Sequence, residues 1–415
     1  MTLSQELSWR GHINQTTYKD IAVLDGEPIT FYWGVDPSAD SMTIGNLAAA
    51  MMVKAFMKGG HKAVLLVGGA TGTIGDPDGK STERDLKSIE EIQHNKQAII
   101  AQYQKIFEGQ NFEVVDNYDW FKDINYLEFL RDTGKHVPMR QMLSRDFVQT
   151  RLSENGAGIS YAEFSYVLIQ AYDFLHLYKD KGVTLQVCGA DQWGNSIAGV
   201  DLIRRKTGGE ANVYSVPLVV NKSTGQKFGK SEDGAIWLDA NKTSTYKFYQ
   251  FWLNVDDESV ESHLKIFTEL DEAIVNDVMA QFGENRGGRQ AQKTLAYEVT
   301  KLVHGQGAAE SQKLIAEVLF GNEDALELGE SELDILEKEL PTATVPKNMS
   351  PDNIVDALVE LALASSKTEA RRFIEGGAIY INNNKMPQNF LFEGQSNRAV
   401  IRRGKNSNAI LKVDA

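Results

Sequence analysis

Two lysines stand three positions apart in the segment Lys227-Phe228-Gly229-Lys230-Ser231. The segment follows several turn-forming residues, so it is expected to form a loop. A glycine-containing loop of this kind can bend over a ligand and bring two ammonium groups onto a polyphosphate. A solvated hairpin without a ligand is the commoner explanation when the segment is considered alone, and the N-terminal third of the chain reverses that balance.

A strand, a turn and a helix are predicted around residue 40. Residues 29–35 have the composition of a strand that ends at a turn containing Asp36 and Pro37, and a helix is predicted from Ile44. Gly45, at the mouth of that helix, would let a nucleotide approach the backbone, where free amide groups favour an anion. An ordinary strand-to-helix turn contains similar residues, so both explanations stay open for this segment alone.

The two segments together resemble the signature motifs of class I aminoacyl-tRNA synthetases, usually H-I-G-H and K-M-S-K-S. Here they are Thr43-Ile44-Gly45-Asn46 and residues 227–231, and the K-F-G-K-S form is typical of tyrosyl-tRNA synthetases. Other segments match the same family in the same order: 68–77, 117–121, 163–166, 191–195 and 247–252. The chain is therefore similar to bacterial-type tyrosyl-tRNA synthetases over nearly its whole length.

The resemblance implies a tyrosine–tRNA ligase, which joins tyrosine and ATP into tyrosyl-adenylate and pyrophosphate and then transfers the tyrosyl group to the 3′ end of tRNA(Tyr). Mg²⁺ would arrive on the ATP phosphates. The seven histidines are scattered and no Cys/His cluster exists in the sequence, so no protein-held metal is expected. The alternative is a catalytically decayed, synthetase-like RNA-binding protein, against which the intact pocket residues and both loop lysines argue.

The predicted helix 163–178 has a polar stripe among apolar residues. Tyr166, Gln170 and Asp173 are spaced i, i+4 and i+7, which places them on one face of the helix. Buried carboxylate and amide groups need hydrogen-bond partners, because leaving them unpaired is costly. The stripe predicts a pocket for a small zwitterionic ligand with a polar tip, unless other protein groups satisfy these side chains.

The resemblance assigns roles within this pocket. Tyr32 and Asp173 would bind the phenolic hydroxyl of tyrosine. The other members would hold the amino-acid end: Tyr166, Gln170 and Asp76 the ammonium group, with Gln192 near the carboxylate. A site built to satisfy a hydroxyl rejects phenylalanine, because the polar groups of the site would be left unpaired; this enzyme class is itself the standard example of such discrimination.

The resemblance also implies the nucleotide-binding and catalytic residues. The ATP-binding positions are Gly34, Asp36, Ser38, Gly45, Gly189, Asp191 and Lys230. The residues assigned to catalysis, which would position ATP and stabilise charge on the departing pyrophosphate, are Thr43, Asn46, Lys80, Arg84, Lys227, Lys230 and Ser231. Thr43 and Asn46 replace histidines that many relatives have; the threonine offers a hydroxyl donor toward the γ-phosphate and the asparagine an amide donor toward the ribose oxygen.

Strand and helix patterns alternate along the first 220 residues, which predicts an α/β fold with a mostly parallel sheet. The predicted strands are 29–35, 63–67, 112–115, 183–187 and 213–220, and the predicted helices are 44–57, 89–106, 139–152, 163–178 and 192–205. With the resemblance, these patterns give a Rossmann-like catalytic domain (1–220), the signature loop and a helical domain (221–320), an acidic linker (321–350) and a small α+β S4-like RNA-binding domain (351–415).

A basic excess begins at Lys367, from which point nine Lys and Arg residues stand against four Asp and Glu. This part resembles an S4-type domain, whose phosphate-facing residues would be Arg371, Arg372, Arg402, Arg403 and Lys405. A solvated charged face is an alternative explanation of the charge alone. A second cluster, Arg204, Arg205 and Lys206, would meet the acceptor stem of the tRNA or cap a helix dipole.

The formal net charge of −14 over 415 residues argues against nonspecific coating of nucleic acid, but not against binding one structured RNA through local basic patches. Cys188 is the single cysteine, so no intrachain disulfide can form, and a cytoplasmic location is expected. The first residues lack the apolar core of a signal peptide, and no apolar run approaches the roughly 20 residues that span a bilayer. The resemblance also implies a homodimer, with residues 138–151 near its interface.

Overall fold

The structure is a computed structural model that describes residues 1–77, 86–143, 145–220, 228–231, 234–321, 323–346, 350–386, 397–404 and 407–414. The helices are, in chain order, α1 (Leu3–Arg10), α2 (Ile44–Lys58), α3 (Ile89–Ile106), α4 (Tyr118–Phe121), α5 (Tyr126–Asp132), α6 (Met139–Leu143), α7 (Asp146–Leu152), α8 (Tyr161–Lys181), α9 (Trp193–Thr207), α10 (Thr245–Leu253), α11 (Val260–Phe267), α12 (Glu272–Glu284), α13 (Gln290–His304), α14 (Gln306–Phe320), α15 (Glu330–Glu339), α16 (Pro351–Glu360) and α17 (Lys367–Glu375). The strands are β1 (Gln15–Thr16), β2 (Thr30–Val35), β3 (Lys62–Val67), β4 (Phe112–Asp116), β5 (Val183–Gly189), β6 (Asn212–Val216), β7 (Lys230–Ser231), β8 (Gly234–Ala235), β9 (Thr342–Val345), β10 (Ile379–Ile381), β11 (Asn384–Lys385), β12 (Arg398–Arg403) and β13 (Ser407–Val413).

The chain divides into two compact units. The first comprises Met1–Thr243 and Asn254–Leu295, and the second comprises Ser244–Leu253 and Ala296–Ala415. The first unit contains all the residues predicted to bind tyrosine and ATP, and the second contains the residues predicted to form the S4-like domain. Within the described ranges, no helix is both long and apolar enough to cross a membrane.

The first unit is built on a six-stranded sheet in the order β1-β6-β5-β2-β3-β4. The strands from β6 to β4 pair in parallel, and β1 joins the edge in antiparallel orientation. The buried, aliphatic character of β3 is typical of a parallel strand covered on both faces. The predicted Rossmann-like parallel sheet is thus confirmed.

Alternating residues of β2 define the two layers that cover this sheet. Phe31 packs on Phe56 of α2 with ring centroids 5.3 Å apart, and Trp33 packs on Tyr103 of α3 at 5.5 Å. Tyr32, between them in sequence, points to the opposite face and meets Phe174 of α8 at 5.2 Å. Ala198, Leu202 and Ile203 of α9 belong to the same buried cluster as Tyr32 and Phe174. Helices α8 and α9 therefore cover the face on which Tyr32 lies, and α2 and α3 cover the other.

Two predicted elements differ from the structure. The strand predicted over 213–220 ends at Val216, because Pro217 has no N–H to donate to a neighbouring strand, and Leu218 and Val220 are exposed. The single helix predicted over 139–152 is two helices, α6 and α7. Arg145 takes extended backbone angles (φ −71°, ψ 136°) at the start of α7, which ends the helical path there.

The second unit contains a five-stranded sheet in the order β11-β10-β12-β13-β9. Helices α16 and α17 cover one face, where Ala399 and Ile401 of β12 join their core. Val400, which alternates with these residues, points to the other face and packs with Leu333 and Leu336 of α15. This arrangement agrees with the predicted small α+β domain.

The interpretation of the acidic segment and the residues after it as a linker is wrong for residues 330–345. These residues form α15 and β9, and β9 pairs in parallel with β13 inside the sheet. The acidic side chains are compatible with this packing because Leu333 and Leu336, three positions apart, provide one apolar face, while the carboxylates lie on the rest of the helix surface.

Arg398 joins α15 to the sheet through its guanidinium group. Its side chain is 8% exposed and pairs with Asp334 at 2.5 Å, with Glu337 at 3.1 Å and with Glu330. The positive charge of Arg398 thus offsets part of the negative charge on the surface of α15. The pKa values of Asp334 and Glu337 are lowered, chiefly by hydrogen bonds from Arg398 and from Lys412 respectively.

Arg398→Met is expected to destabilise the second unit by about 1.5–3 kcal/mol, because several charge-assisted hydrogen bonds are lost at once. The matched control is Lys412→Met, which removes a more exposed partner of Glu337 and should cost less than about 1 kcal/mol. The loss of unfolding free energy in each variant can be measured by urea unfolding, with amide hydrogen exchange in β12 and β13 as the readout. Equal loss in the two variants would show that Arg398 has no special role.

Candidate active site

The carboxyl ends of the parallel strands meet at one edge of the sheet, where ligands of such sheets bind. Asp36 follows β2, Thr71 follows β3 by a short turn, and Asn117 follows β4. Asp191 follows β5 in a 3₁₀ turn that leads into α9. Polar side chains from four different strand ends are thereby collected in one place.

Half-buried Asp36 is the acceptor at one end of a hydrogen-bond network that leads to buried Asp173. Tyr166 Oη donates to Asp36 Oδ2 at 2.7 Å, and Thr71 Oγ1 donates to Asp36 Oδ1 at 2.6 Å. Burial, followed by the charge of Asp36, raises the pKa of Tyr166 well above its ordinary value, so this side chain is a neutral phenol that donates its proton. Tyr166, which was predicted for the tyrosine pocket, and Asp36, which was predicted to bind ATP, are thus in direct contact.

Asn117 extends the network to Asp173. Its Nδ2 donates to Thr71 Oγ1 at 3.0 Å and to Asp173 Oδ2 at 3.1 Å, and its Oδ1 accepts from the amide of Ala70 at 2.7 Å. Trp120 Nε1 donates to Asp173 Oδ1 at 2.9 Å. Both oxygens of Asp173 therefore have a fixed donor, and the carboxyl group cannot rotate.

Burial raises the pKa of Asp173 well above its ordinary value, and the hydrogen bonds from Asn117 and Trp120 oppose that rise. The side chain is 2% exposed. A further hydroxyl donor would stabilise the ionised form in the same way as the two existing donors. The site is therefore suited to a ligand that presents a hydroxyl group.

Two predicted side chains of this pocket have polar atoms without a hydrogen-bond partner among the described residues. They are Tyr32 Oη and Gln170 Oε1, and both atoms are buried. Burial and the charge of Asp173 raise the pKa of Tyr32, so it keeps its proton. Buried polar atoms are normally satisfied, and a bound ligand with a hydroxyl and an ammonium group would satisfy these two.

Asp76 and Gln192 are also in contact. Gln192 Nε2 donates to Asp76 Oδ2 at 2.5 Å, across 116 positions of sequence. Gln192 stands at the start of α9, and Asp76 lies in the turn after β3. The structure thus brings together two residues that were assigned to the charged end of the substrate.

The first signature motif lies at the beginning of α2. The backbone N and Oγ1 of Thr43 each donate to Asn46 Oδ1 at 3.0 Å, which fixes the Asn46 amide with its oxygen toward Thr43. A Cβ on Gly45 would meet only Thr43 Oγ1 within 4 Å, at an ordinary 3.5 Å. The described residues therefore leave room for a side chain at this position. A glycine here agrees with the prediction that a ligand needs that space.

The second signature motif lies against the first. Gly229 has φ +103°, and a Cβ there would come within 2.9 Å of Ile44 Cγ1. The amide of Ile44 donates to the carbonyl of Ile236 at 3.2 Å. Phe228 packs on His263 of α11, with ring centroids 4.1 Å apart. The two motifs, far apart in sequence, are neighbours in the first unit.

Several predicted catalytic groups, and one residue predicted to bind tRNA (Lys405), lie outside the described part of the chain. Lys80, Arg84, Lys227 and Lys405 are not described, and neither are the side chains of Lys230 and Ser231. Gly34 lies next to the last residue of β2, Ser38 lies three positions beyond that strand, and Gly189 is the last residue of β5. Their roles, like those of the undescribed groups, stay predictions.

The basic cluster at the end of α9 contacts protein groups. Arg204 pairs with Asp201 at 2.7 Å. Arg205 donates to the carbonyl of His136 at 3.0 Å, and Lys206 donates to that of Asp132 at 2.6 Å. Arg205 and Lys206 therefore satisfy carbonyl groups at the end of α5 and in the turn that follows it.

The arginines of the second unit differ in exposure and contacts. Arg371 and Arg372 of α17 are 54% and 74% exposed, with ion pairs to Asp352 and Glu369. Arg402 lies 4.8 Å from the ring centre of Tyr380. Arg403 lies 5.2 Å from that of Phe373 and donates to the carbonyl of Leu363.

Comparison with known proteins agrees with this arrangement. The family model of class I tRNA synthetases (W and Y) matches residues 24–321, and that of the tyrosine–tRNA ligase SYY-like C-terminal domain matches residues 332–411. The chain belongs to the tyrosyl-tRNA synthetases of class I. It is 44% identical to tyrosine–tRNA ligase 2 of Bacillus cereus (strain ATCC 10987 / NRS 248) over 427 residues, with 100% of both chains covered.

Two further comparisons extend this result. The chain is 44% identical to the tyrosine–tRNA ligase of Levilactobacillus brevis over 425 residues, again covering 100% of each. Among solved structures, a C-terminally truncated mitochondrial tyrosyl-tRNA synthetase from Aspergillus nidulans matches with a TM-score of 0.69 and 29% identity, over 77% of this chain and 94% of that one. The chain therefore matches the catalytic domain of this family both in sequence and in structure.

Three residues of the network were not assigned by sequence: Thr71, Asn117 and Trp120. All three lie in segments that match the synthetase family, and Asn117 directly follows β4. Their position after neighbouring parallel strands is the signal that could have found them. Their contacts hold Asp36 and Asp173 in place, so they belong to the site.

Asp173→Ala is expected to weaken tyrosine binding by about 1.5–3 kcal/mol, or roughly ten- to a hundredfold, because the substrate hydroxyl loses an anionic acceptor. The KM for ATP should stay nearly constant. Equilibrium binding of tyrosine and steady-state activation kinetics measure both quantities. The control is Asp180→Ala on the exposed end of α8, and tyrosine activation in Asp173→Ala that equals this control would remove Asp173 from the pocket.

Proposed function

We propose that the residues of this site make the chain a tyrosine–tRNA ligase that forms tyrosyl-adenylate and then charges tRNA(Tyr). The observation that supports this most is the buried Tyr32 hydroxyl, which lies within electrostatic range of the Asp173 carboxyl group. Tyr32 Oη is buried without a partner among the described residues, and burial, followed by the charge of Asp173, raises the pKa of Tyr32. A phenolic hydroxyl can accept a hydrogen bond from Tyr32 and donate one to Asp173, so tyrosine satisfies both groups.

The amino-acid end of tyrosine would be held by acceptors on the other side of the pocket. Gln170 Oε1 is a buried acceptor, and Asp76 provides a carboxylate. Both are suited to an ammonium group, which has three donors and no acceptor. Tyr166, fixed by Asp36, completes the assignment. Gln192 is placed beside Asp76, where its amide would meet the substrate carboxylate.

The first step forms a bond between a carboxylate oxygen of tyrosine and the α-phosphorus of ATP. The bond from that phosphorus to the oxygen bridging the α- and β-phosphates breaks, and pyrophosphate departs with the electron pair. The carboxylate is already ionised at neutral pH, so no protein base is needed. The site accelerates the step by holding the reactants in line and by stabilising charge that moves onto pyrophosphate.

ATP would bind along the carboxyl edge of the sheet. The beginning of α2, with Gly45, offers backbone amides and space for phosphates. Gly189, the last residue of β5, and Asp191, in the turn that follows, are proposed to bind the ribose, because a carboxylate can accept hydrogen bonds from the ribose hydroxyls. Mg²⁺ is proposed to enter bound to the ATP phosphates, where it would neutralise part of their charge.

Lys227→Ala and Lys230→Ala are each expected to slow adenylate formation by about 2–4 kcal/mol, which corresponds to tens- to a thousandfold in rate. Tyrosine affinity should hardly change, because these two lysines are proposed to contact only the phosphate end of the nucleotide. Stopped-flow measurement of the activation step tests this. Lys181→Ala, at the far end of α8, is the control.

A weaker tyrosine dissociation constant with an unchanged forward rate in either loop variant would contradict a catalytic role for this loop. The position of Phe228 and Gly229 against α11 and α2 supports that role, because it places the described part of the loop beside the first motif.

The second step transfers the tyrosyl group to tRNA. A hydroxyl at the 3′ end attacks the carbonyl carbon of the adenylate, and AMP leaves. The S4-like part of the second unit is proposed to bind the tRNA through the exposed arginines of α17 and through Arg402 and Arg403. Arg204, Arg205 and Lys206 stay candidates for the acceptor stem.

Replacing Arg371 and Arg372 together by Glu is expected to lower kcat/KM for tRNA by about tenfold or more, with a weaker salt dependence, and to leave adenylate formation unchanged. Lys338→Glu on the exposed surface of α15 is the control. Aminoacylation at several salt concentrations is the measurement. Point substitutions are preferable to ending the chain near Leu340, which would remove β9 and expose the apolar face of α15.

A homodimer and a cytoplasmic location are proposed as well. Exposed apolar side chains between residues 126 and 161 support the dimer, and they include residues near the predicted interface: Tyr126, Leu127, Met139, Leu152 and Tyr161. The hydroxyls of Tyr126 and Tyr161 lie 3.3 Å apart, and exposed apolar side chains that lie together are typical of a protein interface. The cytoplasmic location is inferred from the proposed substrates, ATP and a tRNA.

The direct test of the proposed function uses the whole chain with ATP, tyrosine and labelled pyrophosphate. Exchange of the label into ATP that depends on tyrosine is expected. Absence of exchange, with tRNA binding preserved, would favour a synthetase-like RNA-binding protein without catalytic activity.

A further inference from the structure

Four side chains form a continuous hydrogen-bonded chain that ends in the proposed substrate site. Arg145, at the start of α7, donates to Asn195 Oδ1 on α9. Asn195 Nδ2 donates to Gln192 Oε1 at 3.1 Å, and Gln192 Nε2 donates to Asp76 Oδ2 at 2.5 Å. Asn195 is only 3% exposed, so water has little access to its amide.

The chemical identity of the two ends fixes the direction of both amides between them. A guanidinium group can only donate hydrogen bonds, and an ionised carboxylate can only accept them. Arg145 therefore requires the oxygen of Asn195, which leaves the Asn195 NH₂ for the oxygen of Gln192. The NH₂ of Gln192 is in turn directed to Asp76. Reversing either amide would bring two donors or two acceptors together.

The placement of Arg145 is not explained by the stability of α9. Its guanidinium lies beside the first turn of this helix, since a Cβ on Gly194 would meet its Nη2 at 3.3 Å. A positive charge is unfavourable at the positive end of a helix dipole. The position of Arg145 is therefore unfavourable for the stability of α9. The absence of a side chain at Gly194 leaves room for the guanidinium group there.

We propose that Arg145 and Asn195 are positioning residues for the charged end of the amino acid, because they set the orientation of the Gln192 amide and through it that of Asp76. The inference rests on the proposed function, in which Asp76 holds the ammonium group. With Gln192 correctly oriented, its NH₂ group faces Asp76 and can also meet the substrate carboxylate. With Gln192 reversed, its oxygen would face two carboxylates.

Asn195→Asp tests this series of hydrogen bonds most directly. The substitution keeps the size of the side chain and the acceptor for Arg145, but it removes the donor to Gln192. We expect the dissociation constant of tyrosine to rise about ten- to a hundredfold, with the KM for ATP within about twofold of the unchanged chain. Arg145→Met, which removes the donor at the other end, should shift the tyrosine constant in the same direction.

The double variant Arg145→Met/Asn195→Asp shows whether the two residues act through the same series of hydrogen bonds or affect tyrosine binding independently. If both residues act through Gln192, the double variant loses no more tyrosine affinity than Asn195→Asp alone. Arg131→Met, which removes an exposed arginine paired with Asp132, is the control for loss of a surface charge in this region. Thermal unfolding of each variant provides the structural readout.

Tyrosine binding in Asn195→Asp and Arg145→Met that stays within twofold of the unchanged chain would overturn the inference. The inference would also be overturned if tyrosine and ATP binding were weakened equally and the melting temperature fell. That pattern would mean that the residues have only a structural role. Failure of the unchanged chain to bind tyrosine would instead contradict the proposed function, so the two failures are distinguishable.

Discussion

Two carboxylates, those of half-buried Asp36 and buried Asp173, are held within one hydrogen-bond network, and the geometry of the site depends on that constraint. Buried charge is tolerated only where donors surround it. Asn117 supplies the central link, since it is fully buried and bonds both to Thr71, which serves Asp36, and to Asp173. The network therefore joins the side of the site assigned to ATP with the side assigned to the tyrosine hydroxyl.

The parallel sheet makes this network possible. Each parallel strand delivers its carboxyl end to the same edge, so the residues after β2, β3 and β4 meet without long connections. Helix α8 lies across the face on which Tyr32 points, and it supplies Tyr166, Gln170 and Asp173 from one stripe. The contact of Gly229 with Ile44 brings the second signature motif to the same edge. Binding of a hydroxylated amino acid and activation by ATP thus use a single scaffold.

Much of this arrangement could be predicted from sequence because it depends on periodicity. The alternation of strands and helices predicted the parallel sheet, and the i, i+4, i+7 spacing predicted that Tyr166, Gln170 and Asp173 share a face. The partners of Asp173 could not be predicted, because Asn117 and Trp120 lie more than 50 positions earlier and meet it only through the packing of α8 on the sheet. The same holds for Asn195, whose role depends on which atom of a distant arginine it contacts.

The wrong predictions also have physical causes. The acidic composition of residues 323–339 favoured a solvated linker, but two leucines three positions apart suffice to bury one side of α15, and Arg398 offsets its charge. The strand predicted over 213–220 continued through apolar residues, but a proline removes the donor that another strand would need. Composition describes such segments poorly because one apolar stripe or one missing N–H decides their structure.

The claim that a buried hydroxyl-binding pair selects the substrate is tested most directly by comparing tyrosine with phenylalanine in ATP–pyrophosphate exchange by the unchanged chain. Phenylalanine fills the same apolar space but has no hydroxyl group, so the buried Tyr32 hydroxyl would stay unsatisfied and Asp173 would keep only the donors Asn117 and Trp120 among the described residues. Rapid exchange with tyrosine and exchange near background with phenylalanine is the result that the structure predicts. Comparable kcat/KM values for the two amino acids would contradict it.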